Sequence, residues 1–117
     1  MKTLKKNYEF RNVLSKGKYC KGKYIEIYYI PNEFEENFIG IAVQKKVGKS
    51  VIRNRIKRLI RENYRLNEKN IKKGYNIVFL WNKKTATDLA NFYNIQSDLN
   101  FNLKKVGLMW KMFFYFL

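Results

Sequence analysis

The segment from Val51 to Arg65, VIRNRIKRLIRENYR, concentrates side chains suited to binding an anion. Six of its fifteen residues are Arg or Lys, and Glu62 is its only acid. Guanidinium groups are planar and donate paired hydrogen bonds, so a segment dominated by Arg favours phosphate recognition. The same segment carries aliphatic residues that require burial, such as Ile56 and Ile60. A single element must therefore be both buried and highly charged.

A helix over residues 51–66, with Ser50 as its predicted N-cap, separates these two demands. At about 100° per residue, one stripe is apolar and the opposite side is cationic. Burial of the stripe would fix the cations in place before a ligand arrives, which favours phosphate, with a membrane surface or a protein partner as the alternatives. The stripe consists of Ile52, Ile56, Leu59, Ile60 and Leu66, with Asn63 inside it. The cationic side consists of Lys57, Arg58, Arg61 and Arg65, flanked by Arg53 and Arg55, with Asn54 either contacting the ligand or simply exposed.

The charge of the whole chain supports a polyanionic partner. It has 25 Lys and Arg against nine Asp and Glu, a net charge of +16 in 117 residues. Residues 45–65 carry nine cations and one anion, and residues 1–23 carry eight cations and one anion. Together with nine Phe, nine Tyr and two Trp, this imbalance favours nucleic acid. If the first helix packs near the charged helix, the two form a continuous basic surface.

We predict no catalytic residue and no protein-held metal. The chain has no His, which excludes His-based catalysis and His-ligated metals, and its acids are scattered. Its single cysteine, Cys20, cannot form an internal disulfide or a zinc cluster. It is expected to be a part-buried residue in a reducing compartment. The basic start, MKTLKKNYEF, lacks the apolar core of a signal peptide, so we expect a cytoplasmic protein.

The elements predicted around the charged helix are those of a small α+β domain of order αβββαβα, with its helices packed on one face of one sheet. Asn7 is predicted to cap a short helix over residues 8–16, which Gly17 ends. Composition predicts strands over residues 24–30, 38–46 and 75–81, and a helix over 87–106. The basic stretch KGKYCKGK is either a turn or an edge strand. The domain is expected to span residues 1–108. The apolar tail, 109–117, is too short to cross a bilayer, and either packs on the domain, frays or touches a membrane.

Alternation within the strands predicts one buried and one wet face of the sheet. In residues 24–30 the odd-numbered side chains suit a core, whereas the even-numbered ones, including Tyr28, suit a wet surface. In the next strand, Gly40 and Ala42 leave one face with little side-chain bulk. That face forms either a shallow groove beside Tyr28 or a tight backbone contact.

The longer segment KKVGKSVIRNRIKRLIRE resembles the signature of the bacterial ribonuclease P protein family. That signature is a strand, then Lys-Lys-hydrophobic-Gly, then Arg-Asn-Arg-x-x-Lys-Arg-x-x-Arg on a helix. The similarity extends over about residues 4–81. The matching residues are Lys45, Lys46, Val47, Gly48, Arg53, Asn54, Arg55, Lys57, Arg58 and Arg61.

The resemblance implies a left-handed βαβ crossover, as in one ribosomal protein domain and one elongation factor domain. It also implies a large catalytic RNA as partner, precursor tRNA as substrate, and Mg²⁺ held chiefly by the RNA and the substrate. The leader of the substrate is expected in a cleft between the first helix and the sheet. The partner RNA is expected at Lys45, Lys46, Lys49, Arg53, Asn54, Arg55, Lys57, Arg58, Arg61 and Arg65, and the leader at Phe10, Arg11, Leu14 and Tyr28. Leu14 stands where the family commonly has an aromatic residue.

Two other classes of function share some of these features. A ribosomal or other structural RNA-binding protein shares the charge but needs no leader cleft. A DNA-binding regulator is disfavoured, because a strand rather than a helix precedes the charged helix. We therefore expect no DNA partner and no stable membrane association.

Overall fold

The computed structural model describes residues 1–110, which form a five-stranded mixed sheet with three α-helices. The predicted α+β class and element order are confirmed, with one short strand added at the start. The elements are β1 (Lys2–Thr3), α1 (Asn7–Lys16), β2 (Lys18–Lys21), β3 (Ile25–Pro31), β4 (Phe38–Ala42), α2 (Ser50–Asn67), β5 (Tyr75–Trp81) and α3 (Phe92–Lys105). Single 3-10 turns lie at Lys45–Val47, Glu68–Asn70 and Thr87–Leu89.

Strand β5 is the centre of the sheet, whose strand order is β1-β4-β5-β3-β2. It pairs in parallel with β4 and antiparallel with β3. Both of its faces are covered, which explains its nearly continuous apolar sequence, YNIVFLW. Since β4 and β5 are parallel neighbours, α2 is the crossover of a βαβ unit. The left-handedness of that crossover stays a prediction from the resemblance.

The helices lie on both faces of the sheet, so the predicted packing on one face is wrong. The larger core, around Ile27, Ile56 and Phe79, lies beneath α2 and α3. The smaller core, around Val13 and Val78, lies beneath α1. Alternation along β5 separates the two, because consecutive strand residues point to opposite faces. The sheet therefore stands between α1 and α2, and these helices do not pack into the continuous basic surface considered above.

The helix starts also differ from the predictions. Lys6, not Asn7, is the N-cap of α1, and the Glu9 carboxylate accepts from the backbone N–H groups of Lys5 and Lys6 at 3.1 and 2.9 Å. A carboxylate in the first turn satisfies donors that the helix leaves unpaired. Lys49, not Ser50, is the N-cap of α2.

Two further predictions around the charged helix are wrong: the end of the strand before it and the burial of Leu66. The second predicted strand ends at Ala42, and the chain then turns through Lys45–Val47 before α2 begins. Leu66 is 65% exposed, whereas Tyr64 is buried in its place. Tyr64 follows Ile60 by four residues and shares its side of the helix, whereas Leu66 follows it by six and points away.

The first residues of the predicted tail belong to the folded domain. Leu108 and Met109 are buried, and Met109 forms a β-bridge with Ile71. The backbone N–H of Trp110 donates to the Asn70 carbonyl at 2.9 Å. The boundary predicted after residue 108 thus falls inside packed structure, and residues 111–117 lie outside the described residues. Within residues 1–110, no helix combines the length and apolarity needed to cross a bilayer.

Gly40 in β4 lies directly beneath the ring of Phe10 from α1. A Cβ at this position would lie 2.5 Å from Phe10 Cζ. Of the two interpretations of the bare face of β4, close packing is therefore correct at Gly40. The missing side chain lets the first helix approach the sheet and seats the Phe10 ring on the backbone.

We predict that Gly40→Ala lowers the free energy of unfolding by about 1–3 kcal/mol, because the added methyl displaces the Phe10 ring. Urea denaturation measures this loss. Gly48→Ala is the control, since its Cβ would lie 3.4 Å from Ile52, an ordinary contact. Adding Phe10→Leu to Gly40→Ala should recover part of the loss. A Gly40→Ala protein as stable as the wild type would show that the ring does not require this space.

Candidate RNA interface

Helix α2 is anchored along one side by buried residues. Ile56, Ile60 and Tyr64 recur at four-residue spacing, and all three belong to the larger core. Asn63 is also buried, and its side-chain amide donates to the Leu59 carbonyl at 3.0 Å. Its Nδ2 group is thus satisfied within the helix, whereas its Oδ1 is buried and has no hydrogen-bond partner among the described residues. The predicted apolar stripe is confirmed, with Tyr64 in place of Leu66.

The opposite side of α2 and the turn before it form a cationic face. Within it, Lys57, Arg61 and Arg65 follow one another at four-residue spacing, about one helical turn. Among residues 1–110 the ion pairs closer than 4.0 Å are Met1 with Glu68 and Lys2 with Glu36, so no cation of this face is held in an ion pair, although the exposed Glu62 lies one turn after Arg58 on the same side. The exposed residues are Lys45, Lys46, Lys49, Asn54, Arg58 and Arg65, and Lys57 and Arg61 are partly exposed.

Two of the predicted RNA contacts are engaged within the protein. Arg55 donates from Nη1 to the Ala90 carbonyl at 2.7 Å and from Nη2 to the Thr87 carbonyl at 3.2 Å. Arg53 donates from Nε to the Gly48 carbonyl at 3.1 Å. Arg55 thereby ties α2 to the turn that precedes α3. No sequence pattern indicates this contact, because the acceptors are backbone atoms more than thirty residues away.

The structure brings Phe10 and Tyr28 together on the α1 side of the sheet. Both are partly buried and pack against the smaller core. Arg11 and Leu14 are exposed on α1, and Leu14 follows Phe10 by one turn on the same side. The predicted cleft residues therefore share one region, in which Phe10 and Tyr28 form the base and Arg11 and Leu14 lie at the margin.

Tyr19 extends this region and was not among the predicted site residues. It lies opposite Tyr28 in the β2–β3 pairing, and the two ring centroids are 4.8 Å apart at an angle of 44°. Tyr19 is 48% exposed, so its ring is accessible. Its role depends on the register of an edge strand, which the sequence left undecided between a strand and a turn. We call Phe10, Tyr19 and Tyr28 the aromatic platform.

The two tyrosines of the aromatic platform are uncharged at neutral pH. Burial raises the pKa of both phenols, and the nearby Glu26 carboxylate raises each of them further. Protonated phenols keep their hydroxyl donors and do not repel phosphate. The arrangement suits a single-stranded nucleic acid whose bases stack on rings while its backbone meets cations.

No three His, Cys, Asp or Glu side chains within residues 1–110 lie close enough together to hold a metal ion. Cys20 is buried and donates from Sγ to Asn102 Oδ1 at 3.4 Å. Burial raises the pKa of its thiol, which keeps it protonated. The prediction that Cys20 is a structural residue agrees with this position.

Comparison with known proteins identifies what this arrangement is similar to. The sequence model of the family described as Ribonuclease P matches residues 1–107. The ribonuclease P protein component of Caldanaerobacter subterraneus is 43% identical over 105 residues, covering 90% of this chain and 89% of its own. That of Clostridium botulinum is 44% identical over 106 residues, covering 90% and 94%.

Solved structures give the same result. The Staphylococcus aureus RNase P protein superimposes with a TM-score of 0.83 at 31% identity, covering 93% of this chain and 98% of its own. The RNase P protein from Thermotoga maritima superimposes with a TM-score of 0.80 at 29% identity, covering 90% and 97%. The likeness thus includes the whole βαβ framework that carries the cationic face.

We predict that Arg55→Ala and Arg58→Ala differ in their effect on stability. Arg55→Ala removes two charge-assisted hydrogen bonds to carbonyls and should lower the free energy of unfolding by about 1.5–3 kcal/mol. Arg58 is exposed, so Arg58→Ala should change it by no more than about 0.5 kcal/mol. Urea denaturation of both variants makes the comparison. Equal free energies of unfolding for the two variants would contradict the structural function assigned to Arg55.

Proposed function

The chain belongs to the ribonuclease P protein family, and from this premise we propose which of its surfaces meets which RNA. As a member of that family it is the protein subunit of ribonuclease P, the RNA-containing endoribonuclease of tRNA processing, and its partner is the ribonuclease P RNA. We propose that the cationic face of α2 binds the partner RNA and that the aromatic platform binds the single-stranded leader of precursor tRNA. A purely structural RNA-binding protein is not favoured.

The observation that carries this proposal is the absence of any carboxylate partner for the cations of α2 among the described residues. The buried side of the same helix already fixes the backbone positions of these cations. RNA binding therefore costs less conformational entropy than it would with a mobile segment. The contacts assigned to the partner RNA are Lys45, Lys46, Lys49, Asn54, Lys57, Arg58, Arg61 and Arg65. Arg53 and Arg55 lie at the margin of this face and also hold its shape.

The aromatic platform fits the leader because stacking tolerates any base. Each base that stacks on an aromatic side chain contributes about 1–3 kcal/mol without regard to sequence. Leaders differ in sequence between tRNAs, so a sequence-tolerant surface is what the substrate requires. Arg11 supplies a cation beside Phe10 for the leader backbone, and Leu14 gives an apolar edge.

The positions of the two surfaces support a bridging function. The platform lies on the α1 side of the sheet and α2 lies on the other, so both RNAs can be bound at the same time. The protein would then hold the leader at a fixed position relative to the partner RNA. That geometry raises the affinity for substrates that carry a leader without any contact at the scissile bond.

The protein supplies binding rather than the chemical step in this proposal. In this proposal Mg²⁺ is held chiefly by the partner RNA and the substrate, as the family resemblance implies. When bound, Mg²⁺ can activate water and stabilise the leaving oxygen. We place the protein in the cytoplasm, together with its RNA partners, and expect neither a DNA partner nor a stable association with membranes.

We predict that Tyr28→Ala and Arg58→Ala impair different steps. Tyr28→Ala should weaken binding of precursor tRNA with a leader of several nucleotides by about five-fold or more, because a stacking ring is lost. It should leave affinity for leaderless tRNA and for the partner RNA nearly unchanged. Arg58→Ala should weaken assembly with the partner RNA whatever the leader length. Direct binding assays on the reconstituted holoenzyme measure each affinity.

The leader length provides the internal control for this comparison. An equal loss with long and absent leaders would mean that Tyr28 supports only the core, and the platform would not be the leader site. Tyr19→Ala tests the same surface independently, since Tyr19 is more exposed than Tyr28 and contributes less to packing.

A further inference from the structure

A concavity of about 400 Å³ lies between the β2–β3 hairpin and α3, at the edge of the sheet that carries β2. It is separate from both surfaces described above, although Lys21 also borders the platform side of β2. None of its lining residues belongs to the cationic face or to the aromatic platform. The walls include Lys21, Lys23 and Tyr24 from the hairpin, and Ser97, Phe101 and Lys105 from α3.

A buried polar network holds these walls together. The Asp98 carboxylate, only 7% exposed, accepts from the backbone N–H groups of Lys23, Tyr24 and Ile25 at 2.8, 2.9 and 2.9 Å. It also accepts from the side-chain amide of Asn102 at 3.0 Å. The hairpin is therefore fastened to α3 before any ligand is present.

Gly22 makes this close approach possible. A Cβ there would lie 2.5 Å from Asp98 Oδ2 and 2.7 Å from Asn102 Nδ2. The turn between β2 and β3 is thus fitted to the helix, so the lysines on either side of Gly22 are held at the mouth of the concavity.

The electrostatics of the concavity favour an anion. Its only acid, Asp98, already accepts four hydrogen bonds, which spread and stabilise its charge. Lys21, Lys23 and Lys105 are exposed, and within residues 1–110 none of them has a carboxylate within 4.0 Å, although Lys21 lies opposite Glu26 in the β2–β3 pairing. Three cations that share one mouth attract a ligand with more than one negative charge.

Phe101 identifies the kind of anion. Its side chain is 67% exposed beside these lysines. A single exposed aromatic residue is ordinary, but a ring that lines the same concavity as three exposed lysines matches a nucleotide, whose base stacks while its phosphates meet the cations. An acidic peptide would engage the lysines and leave the ring unused.

We propose that this concavity, formed by the β2–β3 hairpin and α3, binds a single-stranded RNA segment, with one base on Phe101 and phosphates at Lys21, Lys23 and Lys105. In part this rests on the proposed function, which brings RNA to the protein. Two RNAs could supply the segment. Lys21 lies two residues beyond Tyr19 on the same face of β2, so a leader that leaves the aromatic platform can reach the concavity, and an unpaired strand of the partner RNA has the same chemistry.

The test compares Phe101→Ala with Tyr93→Ala in the reconstituted holoenzyme. Tyr93 is the matched control, since it is on the same helix, is 78% exposed and does not line the concavity. Phe101→Ala should weaken binding by about five-fold or more. A loss confined to precursor tRNA with a long leader assigns the segment to the leader, and a loss of affinity for the partner RNA assigns it to the partner. Tyr93→Ala should change neither.

Lys105→Ala tests the phosphate contact, with exposed Lys69→Ala as its control. Removing one phosphate contact to a single strand should make the slope of log K against log salt shallower by about 0.7. If Phe101→Ala and Lys105→Ala match their controls for both RNAs, the inference is overturned. Tyr28→Ala and Arg58→Ala, measured in the same assays, distinguish failure of this inference from failure of the proposed function. If only the concavity is misassigned, these two variants still lose affinity for the leader and for the partner RNA, respectively.

Discussion

The structure depends on burial of one side of a helix whose other side repels itself. Lys57, Arg61 and Arg65 follow one another at four-residue spacing, and like charges at that spacing destabilise a helix. Ile56, Ile60 and Tyr64 recur at the same spacing and are buried in the larger core. The same periodicity thus aligns the cations and supplies the apolar contacts that offset their repulsion.

The sheet converts this anchored helix into one of two opposed surfaces. Strand β5 is covered on both faces, by α2 and α3 on one and by α1 on the other. Because Gly40 has no side chain, the Phe10 ring lies directly on the backbone of β4. This contact sets the distance between α1 and the sheet. In the proposed function, a site for the leader can therefore form on the far side of the sheet without disturbing α2, which is assigned to the partner RNA.

The sequence was sufficient where structure is local, and insufficient where it depends on distant pairing. Helical periodicity located the buried and cationic sides of α2, and composition located β5 at residues 75–81. The side of the sheet taken by α1, the platform contribution of Tyr19 and the carbonyl partners of Arg55 all depend on contacts between remote segments. Leu66 was misplaced because it was grouped by its apolar character, although its angle about the helix axis points it to solvent.

We propose that this chain contributes binding surfaces and that its partner RNA contributes the chemistry. The most direct test is cleavage of precursor tRNA by three mixtures, each with Mg²⁺: RNase-treated protein, partner RNA with protein, and partner RNA alone. We expect no release of the 5′ leader by the protein alone. We expect cleavage by the combined mixture at a substrate concentration at which the RNA alone is slower. Release of the leader by the RNase-treated protein alone would contradict the account.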